Sequence, residues 1–292
     1  MSADLLERPA APSRPAPPPA APKAAGLGAK AWAGLWPKLL AVAIAVAVWQ
    51  AVAMSGWKPD YLLPGPGATG VRLWEAATDP DGRLWSALGT TLRRGVFGFV
   101  IALAIGSLIG IAVSRWKVLR AAIGSLITGL QTMPSVAWFP LALLLFGLTE
   151  SAITFVIVLG AAPSIANGII SGIDEVPPNL VRAGHMMGAR GVALYRHVVL
   201  PAALPAYVAG LKQGWAFSWR SLLAGELLVS VPGVVALGSD MSNARNLGQA
   251  DLVVALMIVI LLIGMVVDIL FSAVTNRLRS RRGLTGMEGM PA

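Results

Sequence analysis

The sequence contains no cysteine, so no disulfide, thiolate nucleophile or cysteine-ligated metal is open to it. Histidine is almost as scarce. His185 and His197 are the only two, and both read as surface or interface side chains rather than as a metal pair. Charge is scarce too: 13% of residues are charged, where soluble domains carry about 25%. No G-x-x-x-x-G-K-[ST] run occurs, so the chain has no phosphate cradle of that kind. What fills the sequence instead is apolar. Hydrophobic residues make up 56% of the 292, gathered into runs of about 20, the length that crosses a bilayer. An all-α, polytopic membrane protein is expected, because a helix satisfies its own backbone in lipid.

The net charge of +9 does not point to nucleic acid, since much of it lies at the two ends beside apolar runs. Residues 1–30 are Pro/Ala-rich, cannot bury a core and are expected to be a disordered tail rather than a signal peptide. Six spans are expected within 31–282, near 38–56, 90–114, 119–146, 151–173, 202–229 and 252–275. Trp36 and Trp57 anchor the first, and Pro134 and Pro140 interrupt the third. Residues 283–292 are expected to be a flexible tail. With both termini in the cytoplasm, 15 Lys and Arg fall inside and 6 outside, the expected bias for a multi-pass protein of the cell membrane. Arg93 and Arg94 strain that count, and either snorkel or face protein.

Between spans one and two, Val71, Leu73, Trp74 and Ala77 keep helical spacing ahead of a "DPDG" turn, which predicts an interfacial helix or a binding lid. Gly106/Gly110 and Gly168/Gly172 form GxxxG pairs, which allow close helix approach inside the bundle or between two copies.

The stretch "DEVPPNLVRAGHMMGARGVALYRHVVLPAALP", residues 174–205, is the largest expected cytoplasmic loop. Pro177 and Pro178 suit a helix start, with Asp174 and Glu175 beside its positive end. Gly188 stops that helix. A second short helix runs from about Arg190 to Val199, until Pro201 forces a new start. Two short helices along the membrane surface are expected.

The spacing within this loop resembles that of binding-protein-dependent ABC importer permeases. Their loop has the form E-A-A, three residues, G, nine residues, I, one residue, L-P. Here Arg182, Ala183 and Gly184 stand at the E-A-A positions. Gly188 follows after three residues, Val198 after nine more, and then Leu200-Pro201. Arg182 and Gly184 depart from the pattern. "TMPSVAWFPLALLLFGLTE" at 132–150, "LP" at 63–64, "GLK" at 210–212, "AGELL" at 224–228, "ALG" at 236–238 and Asp268 resemble the sulfonate, taurine, nitrate and bicarbonate branch, with Thr149 and His185 as further departures.

The resemblance implies a homodimeric permease subunit that performs no catalysis and needs no cofactor of its own. ATP would be bound by two cytoplasmic ATPase subunits, and an outer solute-binding protein would deliver a small solute, expected to be anionic. It also implies a coupling helix that docks on the ATPase, carried by Arg182, Ala183, Gly184, His185, Gly188, Ala189, Arg190, Tyr195, Leu200 and Pro201. Gly188 permits a tight bend, and Arg190, Tyr195 and Arg196 offer charge and aromatic contact. Candidate pathway residues are Met133, Pro134, Trp138, Phe139, Lys212, Trp219, Arg220 and Glu226. Trp138 and Phe139 read as a hydrophobic gate or as packing beside a proline kink. Lys212 and Arg220 read as anion-steering groups, or as an interface lysine and an arginine paired with Glu226 or Asp268. The rival readings are an ion-gradient-driven transporter, a membrane scaffold without transport, and an ABC permease for a pyrimidine-like or aromatic solute.

Overall fold

The computed structural model describes residues 27–280. Eleven helices follow one another, and no strand occurs among the described residues. They are α1 (Leu27–Met54), α2 (Pro66–Thr78), α3 (Arg83–Arg115), α4 (Lys117–Thr132), α5 (Phe139–Phe146), α6 (Glu150–Asp174), α7 (Pro178–Met186), α8 (Val192–Leu194), α9 (Leu200–Leu228), α10 (Leu237–Asn246) and α11 (Ala250–Ser280). The chain divides into two units, the first ending at Ala51. α1 starts at Leu27, inside the stretch expected to be tail, because Gly28 gives way at once to alanine-rich, helix-favouring sequence. The rest of that tail, 1–26, and the C-terminal stretch 283–292 lie outside the described residues.

Among the described residues, five helices are long and apolar enough to cross a bilayer: Leu35–Met54, Arg83–Arg115, Glu150–Asp174, Val192–Leu228 and Ala250–Arg277. The expected third span is not straight. It consists of α4 and α5, bent by 106° at Met133–Pro134. Pro134 removes an amide and cannot continue α4, and a 3₁₀ turn at Ser135–Trp138 then starts α5.

In the second unit α6 is the central helix, with α3 and α9 packed along it. Lipid tails are as apolar as leucine, so close contact rather than the hydrophobic effect holds such helices together. Small residues supply that contact. On α3, Gly98, Ala102, Gly106 and Gly110 repeat every four residues and are buried. A Cβ on Gly106 would stand 2.5 Å from the Ala162 carbonyl oxygen of α6. On the α9 side, a Cβ on Gly168 would stand 2.7 Å from the Gly210 Cα. Both GxxxG pairs therefore serve packing within one chain.

The expected interfacial helix is α2. Pro66 opens it, Asp79 turns the chain through Gly82 at φ +59°, and Leu73, Ala76 and Ala77 face inward while Val71 and Trp74 stay exposed. The Trp85 indole donates to the Ala77 carbonyl at 2.9 Å and ties α2 to α3.

Gly168→Val should force α6 and α9 apart, because the opposing atom is backbone and cannot turn away. Thermal unfolding of the purified protein in detergent should register a loss of about 1–3 kcal/mol or more. Gly124→Val, which meets nothing within 4 Å, should unfold like the parent.

Candidate functional site

The 174–205 stretch folds as a compact hairpin. α7 opens on Pro178 and ends in a Schellman motif: the Ala189 amide donates to Gly184 O, and the Gly188 amide to His185 O, both at 3.0 Å. Gly188 takes φ +84° and Gly191 φ +54°, so two left-handed residues make the bend. Gly184 is where the two arms cross. A Cβ there would press on Leu194 and Val198, at 2.8 and 3.0 Å. Glycine in place of the pattern's alanine thus has a local reason. Val176, Leu194, Val199 and Ala203 give the hairpin its own small core.

Two sequence expectations are corrected here. Asp174 makes no capping hydrogen bond to α7. It is the last residue of α6, and its carboxylate accepts from Arg120 at 2.6 Å. Nor does Pro201 end a second short helix. Val192–Leu228 runs as one helix of 37 residues. A π-turn at Tyr195–Val199 sends the Leu200 amide back to Tyr195 O, so the missing amide of Pro201 falls where the ladder has already shifted register. Of the two short helices expected here, only α7 is separate from a span.

Arg182, Ala183, His185, Gly188, Arg190, Tyr195 and Leu200 are exposed, Ala189 and Pro201 are half-buried, and Gly184 is buried. Met186 and Met187 are 89% and 88% exposed and Val192 is 83% exposed, an apolar surface that a chain in water would not leave bare without use. Met186 and Val192 were missed by sequence reasoning. The adjacent methionines before a glycine were the available cue. Leu180, Ala183, Met187 and His197 border an open groove of about 450 Å³ beside Pro201.

The expected pathway residues separate into two groups. Glu226 and Phe139 are interior, at 1% and 2% exposure: α9 turns Leu222, Gly225 and Glu226 toward the core, and Phe139 at the head of α5 packs into it. The Glu226 carboxylate accepts from Arg94 at 3.1 Å, from the Thr91 hydroxyl at 2.9 Å and from the Gly238 amide at 3.1 Å. Thr91 Oγ1 in turn accepts the Leu237 amide at 3.0 Å. Arg94 extends the cluster to Glu150, with Nε and Nη2 at 2.7 and 2.5 Å from its two oxygens. One carboxylate thus joins α3, α9 and the amide-rich start of α10, and its arginine adds α6. A Cβ on Gly238 would collide with Glu226. Arg94, Thr91 and Glu150 were not singled out from sequence, although Arg94 was flagged as misplaced by charge.

Met133, Pro134, Trp138, Lys212, Trp219 and Arg220 border clefts. Lys212 Nζ lies 2.7 Å from Asp268 and 3.1 Å from Ser272 Oγ. Trp219, mostly buried, stacks on Trp215 with centroids 6.3 Å apart. Arg220 pairs with neither Glu226 nor Asp268, whose partners are Arg94 and Lys212.

Residues 86–280 match the family of binding-protein-dependent transport system inner membrane components. The chain belongs to that family. It is a permease subunit of an ABC importer, a multi-pass component that leaves ATP hydrolysis to partner subunits. It is 32% identical to SsuC of Escherichia coli (strain K12), named for aliphatic sulfonates transport, over 76% of this chain and 82% of that one. It is 28% identical to the taurine transport system permease protein TauC of the same strain, over 81% and 86%. It is 26% identical to the nitrate import permease protein NrtB of Leptolyngbya laminosa, over 70% and 75%. Among solved structures, an inward-facing MetNI methionine ABC transporter shares the fold at a TM-score of 0.51 and 22% identity, covering 66% of this chain and 93% of that one.

Glu226→Ala should leave Arg94 buried beside an empty carboxylate position, and cost about 3–5 kcal/mol of stability. Glu150→Ala, whose side chain is 44% exposed, should cost less. Tryptophan-fluorescence melting of the two purified variants separates them.

Proposed function

We propose that two copies of this permease subunit form the pathway for a small oxyanion, of sulfonate, taurine or nitrate type, delivered by an outer solute-binding protein. Two ATPase subunits seat on the 178–201 hairpin. The bent α4–α5 pair counts as one of six spans, and both termini lie in the cytoplasm, following the 15-to-6 distribution of Lys and Arg. The observation that carries this reading is the continuity of Val192–Leu228. The hairpin core locks α7 onto the start of that helix, and no break separates it from the Glu226 cluster. A displacement imposed at the hairpin by closing ATPases therefore passes along the whole span. Exposed Met186, Met187 and Val192 are the apolar anchors for that partner, with Arg182, His185 and Arg190 as its polar rim.

Purification of the tagged chain from its native membrane in mild detergent should bring down a Walker-motif ATPase in stoichiometric amount. A lone, stable chain that still takes up solute on an ion gradient would overturn the reading. Gly188→Asp should cut uptake at least tenfold and release the ATPase while membrane insertion stays normal. An added Cβ there meets nothing within 4 Å of its own chain, so the damage falls on the docking surface and the left-handed bend. Radiolabelled solute uptake and co-purification check both halves.

A further inference from the structure

Charged groups inside the spans of this chain mostly find carboxylate partners: Arg94 with Glu226 and Glu150, Lys212 with Asp268. Arg220 does not. It sits on α9 between those two pairs, about 9 Å along the axis from Glu226 and about 12 Å from Lys212. That is well inside the span. It is nevertheless exposed, and no carboxylate lies within ion-pair distance among the described residues. Its guanidinium carbon stands 5.8 Å from the centroid of the Phe217 ring, which holds it over an aromatic face without neutralising it. A bare arginine at that depth is not compatible with a lipid-facing surface.

The neighbouring positions agree. Ala209, Gln213, Ala216 and Arg220 follow helical spacing along one stripe of α9, two small residues and two polar ones, where a lipid-facing stripe would be leucine, valine and isoleucine. Arg220 borders two clefts at once. One, of about 380 Å³, is walled by the stacked Trp215 and Trp219 and by Phe271, and the Lys212–Asp268 ion pair lines it as well. The other, of about 240 Å³, is bordered by Gln131, Thr132 and Ser135 at the break between α4 and α5. Apolar walls with a few converging polar groups and one unpaired cation make a site for a small anion with a short carbon chain.

We propose that Arg220 is the anion-binding residue of the translocation pathway. Its guanidinium holds the oxyanion group of the solute, sulfonate or nitrate, and the Trp215–Trp219 wall receives whatever carbon chain follows. This inference rests on the reading of the chain as an importer of small anions. A planar fork of N–H donors matches an anion of three equivalent oxygens in pairs of hydrogen bonds. Lys212 is unsuited to the role, since Asp268 and Ser272 already occupy its ammonium. The competing occupant of Arg220 is a carboxylate of a second copy, which would make it an assembly contact.

The test uses the full chain with its co-purified ATPase and binding protein in proteoliposomes, with ethanesulfonate and nitrate as anionic probes and uracil as a neutral control. R220Q should lower uptake of both anions at least tenfold, R220K should retain part of the nitrate uptake, and native mass spectrometry should find the complex intact in both. Parent-like anion uptake by R220Q overturns the site and leaves the importer reading standing. Dissociation of the complex by R220Q assigns the arginine to assembly and overturns the site. Uptake of uracil but neither anion by the parent protein overturns the anionic substrate class, and the site with it.

Discussion

A carboxylate at 1% exposure constrains this fold more than any other single group. Glu226 cannot be hydrated where it sits, so each of its oxygens has to be met by a donor from the chain. Arg94 comes from α3, and the Gly238 amide from the start of α10. Thr91 donates to the carboxylate and accepts from Leu237 at the same time. These requirements fix the depth at which α9 stops, the direction in which the chain returns into α10, and the rotation of α3. Arg94 still has Nε and Nη2 donors to place after binding Glu226, and the Glu150 carboxylate at the head of α6 accepts them. Four helices are placed by one chain of charge-assisted bonds.

The opposite end of α9 is built on a different principle. There the hairpin closes on a small apolar core, and its bend is made by glycines at positive φ. Between the two ends α9 is pressed against α6 through Gly168 and Gly210, backbone against backbone. The π-turn before Pro201 is what allows one helix to serve both ends. A kink at that proline would have made a hinge between docking surface and span. The helix instead continues without interruption from Val192 to Leu228, and in the proposed function that continuity carries motion from a partner into the span.

Much of this was legible in the sequence, and the illegible parts share a cause. Span positions followed from apolar runs, the α7 stop from Gly188, and the broken third span from Pro134. The quoted fragments "GLTE", "AGELL" and "ALG" lie far apart in sequence, yet Glu150, Glu226 and Gly238 from them gather around Arg94. "GLK" and the late aspartate likewise meet, as Lys212 and Asp268. No local pattern reveals such partners, because helix periodicity reports which face a residue lies on and not what stands opposite it. Glu226 was therefore grouped with the pathway residues, although its stripe also carries Leu222 and Val229, the mark of an inward face. The continuation through Pro201 was missed for a related reason. A proline's effect depends on whether the preceding turn has widened, and composition does not say so.

The α4–α5 break and Arg220 raise one question from two directions. A span bent by 106° interrupts its hydrogen-bond ladder at membrane depth, and such backbone is tolerated only against protein or water. Met133 and Val136 at the bend are nonetheless 41% and 49% exposed in the single chain. An unpaired arginine at a similar depth carries the same prohibition against lipid. Both features border the same cleft. In the proposed pair of subunits this face turns inward, toward the second copy and the water between them, which relieves two independent costs, one of backbone and one of charge. The face that looks least finished in one subunit is then the one that the proposed assembly completes.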